Sequence, residues 1–145
     1  MKKKTLLLLT AFLLVSVFAS AENPKSTDQI KWFSNLEDAL AEAKVSQLPI
    51  LIDFTGSDWC GWCFKLEEEV FSKQDFINYV SENLIMVKLD YPKRIEQTIE
   101  TKQYNNEIAS KFGIRGFPTI LLLDENGEEI SRTGYQPGGA LNYIS

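Results

Sequence analysis

Residues 50–63 read Ile50-Leu51-Ile52-Asp53-Phe54-Thr55-Gly56-Ser57-Asp58-Trp59-Cys60-Gly61-Trp62-Cys63, and they decide how the rest of the chain is read. Ile50 to Phe54 is an apolar run broken only by Asp53, the pattern of a strand buried on both faces. Thr55 to Asp58 is turn chemistry. From about Cys60 the period changes. Cys63, Leu66 and Val70 recur at helical spacing, which predicts a helix from near Cys60 to Phe71 with Cys63 on its core stripe. Cys60 and Cys63 are the only two cysteines in 145 residues. Three apart on a helix, they share a face. A metal clip, a structural staple and a reactive pair are all open at this point.

The composition narrows the choice. There is no histidine, which removes Cys–His dyads, histidine general bases and imidazole metal ligands. Structural zinc sites usually take four Cys or His ligands, so two thiolates argue against metal. The formal net charge is -5. An acidic chain is a poor candidate for nucleic acid or an anionic membrane surface.

Toward the N-terminus, residues 1–21 carry three lysines, an apolar run from Leu6 to Phe18, and Ala19-Ser20-Ala21. These are the three regions of a secretory signal peptide, with cleavage expected after Ala21. The run is shorter than the roughly 20 apolar residues that span a bilayer, so a retained anchor is the lesser reading. Residues 22–29 form a polar lead-in, and 30–145 form one domain. Ile30 to Phe33 is a short strand candidate. Ser34 or Asn35 can cap a helix carrying Leu36, Leu40 and Ala43, which Pro49 ends.

Toward the C-terminus, Ser72-Lys73 interrupts the helix before 74–83 resumes it. Leu84 to Asp90 is a strand, and 91–97 a polar connection. Thr98 to Phe112 is helical, with Gly113 as its C-terminal cap. Thr119 to Asp124, the turn 125–127, and Glu128 to Thr133 make a hairpin. The order is βαβαβαββ, an α/β domain with a mixed sheet.

Four features coincide in order: ILIDF feeding WCGWC, Lys88 inside MVKLD, KFGIRGFPT at 111–119, and the hairpin LLLDENGEE. Together they resemble the thioredoxin superfamily, specifically its exported thioredoxin-like members, from about Ile30 to Thr133. The resemblance implies a thioredoxin-like fold, a mixed central sheet flanked by helices. It places the cysteine pair at the start of the second helix, with Pro118 after a cis peptide bond and facing the sulfurs. Three departures stand out. The loop from Asp53 to Cys60 is one residue longer than in thioredoxins. The connection across 91–104 is longer by about ten residues. After the hairpin only GGALNYIS remains, so the terminal helix is expected to be about two turns long or incomplete.

The first turn of a helix carries unpaired N–H groups and partial positive charge, which favour a thiolate. Cys60 is therefore the expected nucleophile. It would attack a substrate disulfide, and the more buried Cys63 would resolve the mixed disulfide. Burial of Asp53 raises its pKa and suits it to accept the Cys63 proton. Lys88, one strand over in the family arrangement, is its expected partner.

Gly61 leaves the Cys60 sulfur open to a partner, while Trp59, Trp62 and Phe117 are candidate substrate contacts. A cis bond at Pro118 exposes the Phe117 backbone to an extended substrate strand. Asp58 reads as an exposed turn residue, Arg115 as a solvated loop charge, and Glu67-Glu68-Glu69 as solvated charge.

The expected function is an exported protein thiol–disulfide oxidoreductase, with reductase or isomerase duty favoured. No cofactor or metal is expected. The expected partners are protein thiols and disulfides and a membrane or soluble redox donor, with the chain a monomer. The rival reading is a thioredoxin-like binding module whose disulfide never opens.

Overall fold

The structure is a computed structural model, and it describes residues 29–145. The expected signal peptide and the lead-in up to residue 28 lie outside the described residues. Among the described residues no helix is long and apolar enough to cross a membrane.

The chain runs β1 (Trp32–Phe33), α1 (Leu36–Ser46), β2 (Ile50–Thr55), α2 (Gly61–Leu66), a π-helical turn (Glu67–Phe71) and α3 (Gln74–Asn83). It continues through β3 (Ile85–Asp90), α4 (Ile99–Lys111), β4 (Thr119–Leu123), β5 (Glu129–Thr133) and α5 (Gly139–Tyr143). The strands form one sheet in the order β1-β3-β2-β4-β5. β1, β3 and β2 are parallel, β4 runs antiparallel to them, and β5, antiparallel to β4, points the same way as β2. The expected mixed α/β architecture is thus observed.

β2 is central, and all six of its residues are buried. Its side chains alternate between the two faces, as the pleat requires. Ile50, Ile52 and Phe54 join a core with Leu36, Ala39, Ala43 and Ile108 from α1 and α4. Leu51 points the other way, into a core with Leu66, Val70, Phe71, Phe76 and Val80. By the same alternation Asp53 faces the layer that carries the cysteines. Lys88 pairs with Asp53 in the β2–β3 register, so the two residues share that face.

Local signals explain the helix ends. Asn35 caps α1 by accepting the Asp38 N–H at 2.8 Å, a contact usually worth about 1 kcal/mol. α4 ends in Gly113, whose φ of 62° lies in the left-handed region that glycine tolerates. The helix expected to run unbroken from Cys60 to Phe71 is α-helical only to Leu66. It then widens into one π-turn, in which Ser72 N–H reaches Glu67 O at 2.9 Å. Such turns are rare and concentrate at functional sites. The terminal helix, expected to be about two turns long or incomplete, is α5, with five residues and little more than one turn.

Candidate functional site

Cys60 is the N-cap of α2, and its sulfur accepts the Cys63 N–H at 3.2 Å. The two cysteines are joined in a disulfide with Cα atoms 5.2 Å apart. Cys63 does not prove more buried than Cys60, because each is 5% exposed. The bond draws both sulfurs onto the same turn, so the closed pair shows no inner and outer member. The opening lies at Gly61, where a side chain would meet no heavy atom within 4 Å. Trp59 and Trp62 flank it at 37% and 58% exposure.

Beneath this layer sits Asp53, 2% exposed, with no hydrogen-bond partner for Oδ1 among the described residues. Burial lifts its pKa to about 7. The charge of Lys88 opposes that rise, while those of Glu67 and Asp90 reinforce it. The sequence paired Lys88 with Asp53, and the structure corrects this. Lys88 Nζ makes its ion pair with Glu67 Oε2 at 3.1 Å and lies 4.2 Å from the centre of the Trp32 ring. The reason is solvation: Lys88 and Glu67 are both partly exposed, and an ammonium keeps more of its hydration there than beside a fully buried carboxylate.

The glutamate run is also more engaged than solvated charge would be. Glu67 holds Lys88, and Glu69 accepts the Tyr135 hydroxyl at 2.5 Å and lies 3.5 Å from Lys65. Glu67 and Glu69, two apart, point to different partners, while Glu68 is exposed.

Asp58 corrects the sequence reading as well. It is buried, not an exposed turn residue. Its carboxylate accepts the backbone N–H groups of Lys93, Arg94 and Ile95. These bonds hold its pKa below the usual carboxylate range, the Lys93 bond most strongly. The Arg94 guanidinium returns a bond to Asp58 O. Asp90 does the same work in reverse, accepting the N–H and hydroxyl of Ser57. The loop before Cys60 is therefore clasped to the longer connection after β3. Nothing in the residue pattern marked this clasp, because its partners are backbone amides more than thirty positions away.

Trp59 completes the junction. Its indole N–H donates to Tyr91 O at 2.8 Å, its ring meets Phe117 edge-on at 5.8 Å, and Lys93 Nζ lies 3.8 Å from its centre. The Phe117–Pro118 bond is cis. Through the Phe117 ring this segment stands beside Trp59, and so beside Cys60. Arg115 is exposed, as expected of a solvated loop charge.

The structure thus sets the Phe117 ring against Trp59, one residue before Cys60, with Pro118 next in the chain and Asp53 in the strand that leads into the pair. Lys88 stands to one side with Glu67. Sequence reasoning missed Tyr135, Glu69 and Lys65 around Trp62. Tyr135 lies 66 positions from Glu69, and no local period reports such a contact.

The family model for the thioredoxin-like domain matches residues 36–144. The chain is 35% identical over 132 residues to the disulfide bond reductase DsbH of Chlamydia pneumoniae, covering 88% of this chain and 79% of that protein. It is also 35% identical over 131 residues to the thioredoxin-related protein DsbJ of the same organism, covering 90% of this chain but 37% of that protein. Among solved structures, the DsbH oxidoreductase superimposes with a TM-score of 0.76 at 34% identity, over 80% of each chain. A Thermus thermophilus thioredoxin superimposes with a TM-score of 0.61 at 17% identity, covering 80% of this chain and 82% of that one, a likeness of fold alone.

Proposed function

The chain belongs to the thioredoxin-like domain family and is a thiol–disulfide oxidoreductase, and from that premise we propose that it is an exported protein-disulfide reductase working through Cys60 and Cys63. The observation that carries this reading is the closed Cys60–Cys63 bond at the opening of α2, with Cys60 Sγ already accepting a helical N–H. In the reduced chain the same N–H would stabilise a Cys60 thiolate.

The proposed steps balance as follows. The Cys60 thiolate attacks a partner disulfide, forms a mixed disulfide and releases one partner thiolate. The Cys63 thiol then loses its proton to Asp53 and attacks Cys60 Sγ. The Cys60–Cys63 bond closes, and the second partner sulfur leaves as a thiolate, to be protonated by water. The partner gains two electrons and the enzyme pair is oxidised. A separate donor, a dithiol protein of the membrane or in solution, must reduce the pair again. Asp53 suits the acceptor role because burial has brought its pKa to about 7, where it can take a proton at neutral pH. Trp59, Trp62, Gly61, Phe117 and Pro118 are the proposed partner contacts. Lys88 acts on Asp53 only through its field, its ammonium being held by Glu67.

The reductase direction draws support from the similarity to the reductase DsbH, and export from the N-terminal signal pattern. Equilibration with glutathione buffers tests the direction. A reductase is expected to hold a couple more negative than about -200 mV, as thioredoxins and glutaredoxins do. A couple near -120 mV, that of a strong oxidant, would overturn it.

A further inference from the structure

Trp62 is the most exposed aromatic beside the pair, yet two side chains, Tyr135 and Lys65, lie against it. Its ring lies 5.1 Å from that of Tyr135, tilted by 37°. Lys65 Nζ lies 5.6 Å from the centre of the Trp62 ring and 5.3 Å from that of Tyr135. The Tyr135 hydroxyl donates to Glu69 at 2.5 Å, and Glu69 in turn faces Lys65 at 3.5 Å. This bond is strong enough to hold the Glu69 carboxyl below its ordinary range. Tyr135 itself is half-buried and packs against the core on the α2 side of the sheet. It therefore ties an exposed indole to the interior.

The segment that carries Tyr135 is fixed from both sides. A side-chain carbon on Gly134 would come within 3.1 Å of Pro118 O. The Gly134 carbonyl accepts the Tyr143 hydroxyl at 2.8 Å. One short segment thus touches the cis-proline loop, α5 and, through Tyr135, Trp62 between the two cysteines.

An exposed aromatic held in one orientation is an interaction anchor whose ordering cost is met before the partner arrives. Space is open at Gly61, so a partner chain bonded to Cys60 has room there, next to Trp62. We infer that Tyr135 is a positioning residue for partner capture: braced by Glu69 and Lys65, it holds the Trp62 indole as a preset wall for the polypeptide that enters the mixed disulfide. This rests on the exchange reading above. It assigns Tyr135 no contact with the reacting atoms.

The test is steady-state reduction of fluorescein-labelled insulin, with dithiothreitol as terminal reductant. Tyr135→Leu is expected to raise KM about threefold to tenfold, the range an aromatic pair is worth, with the loss in kcat/KM carried by KM. Tyr135→Phe keeps the ring and loses the bond to Glu69, so its KM is expected to rise about twofold. Both increases are expected to vanish in a Trp62→Ala background, because the brace then has nothing to hold.

An unmoved KM, a loss carried by kcat, or equal increases with and without Trp62 would overturn the inference. If Tyr135→Leu does not fold, the Tyr135→Phe comparison across the two backgrounds decides by the same criterion. A wild-type chain no faster than Cys60→Ser would show that the exchange reading itself had failed, and this inference with it. A wild-type chain that reduces insulin while Tyr135 leaves KM unmoved would sink the inference alone.

Discussion

Asp53 is the buried group that responds to pH near neutrality. Burial raises its carboxyl to about 7 in the folded chain from 3.8 as a free group. The groups acting on it are Lys88, which opposes the rise, and Glu67 and Asp90, which add to it. Tyr143 lies close enough for the Asp53 charge to raise its phenol further. Because the folded state holds the proton more tightly, the stability tied to this group is complete below about pH 4 and is lost as the pH climbs to about 7. The displacement is equivalent to about 4 kcal/mol at most. Asp53→Asn is expected to flatten that slope and to leave the oxidised chain more stable at pH 8, read by urea unfolding across pH.

The same substitution bears on chemistry. It should slow resolution of a Cys60 mixed disulfide on the order of a hundredfold and formation far less, read by stopped-flow mixing. Equal slowing of both steps would contradict the acceptor role. Lys88→Met removes the one cation that opposes the rise, so the pH midpoint for resolution should move upward. A downward move would mean that Lys88 acts on Asp53 by some other route.

At the scale of elements, a clasp joins the 57–59 loop, just before Cys60, to the end of β3 and the connection after it. Asp58 accepts three backbone N–H groups there. Its pKa is lowered in the folded chain, so this contribution is present above the usual carboxylate range and fades as the pH falls below it. Asp58→Ala should speed hydrogen exchange at the amides of Lys93, Arg94 and Ile95 by about tenfold or more, while β2 amides keep their protection. Unchanged exchange at those three amides would mean that the loop is held by other contacts.

The elements themselves were legible because each carries its own signal. β2 shows as an apolar run, α1 through Asn35, α4 through Gly113, and the hairpin through Glu125-Asn126-Gly127. The π-turn was not legible, since Glu67 to Phe71 keeps helical composition and only the backbone bond to Ser72 shows the wider turn.

For the whole molecule, α5 carries more than its length suggests. Tyr143 stands edge-on to both Phe71 and Phe76 and reaches Gly134 O with its hydroxyl. Tyr143→Ala should cost about 2–4 kcal/mol, seen as a lower Tm with native secondary structure retained below it. No loss would mean that the sheet face is covered without α5.

The cysteine pair and the buried carboxylate could be read from sequence because residues 50–63 hold them contiguously. The partners of Lys88, Asp58 and Trp62 could not be read. Each contact joins residues distant in sequence, and hydration and register decide between the available ions.

Trapping on Cys63→Ser tests the account most directly. With the resolving sulfur removed, incubation with disulfide-bearing proteins should leave covalent adducts on Cys60 that a reductant releases, seen by intact mass. A folded Cys63→Ser protein that forms no such adduct at any pH from 6 to 9 would contradict it.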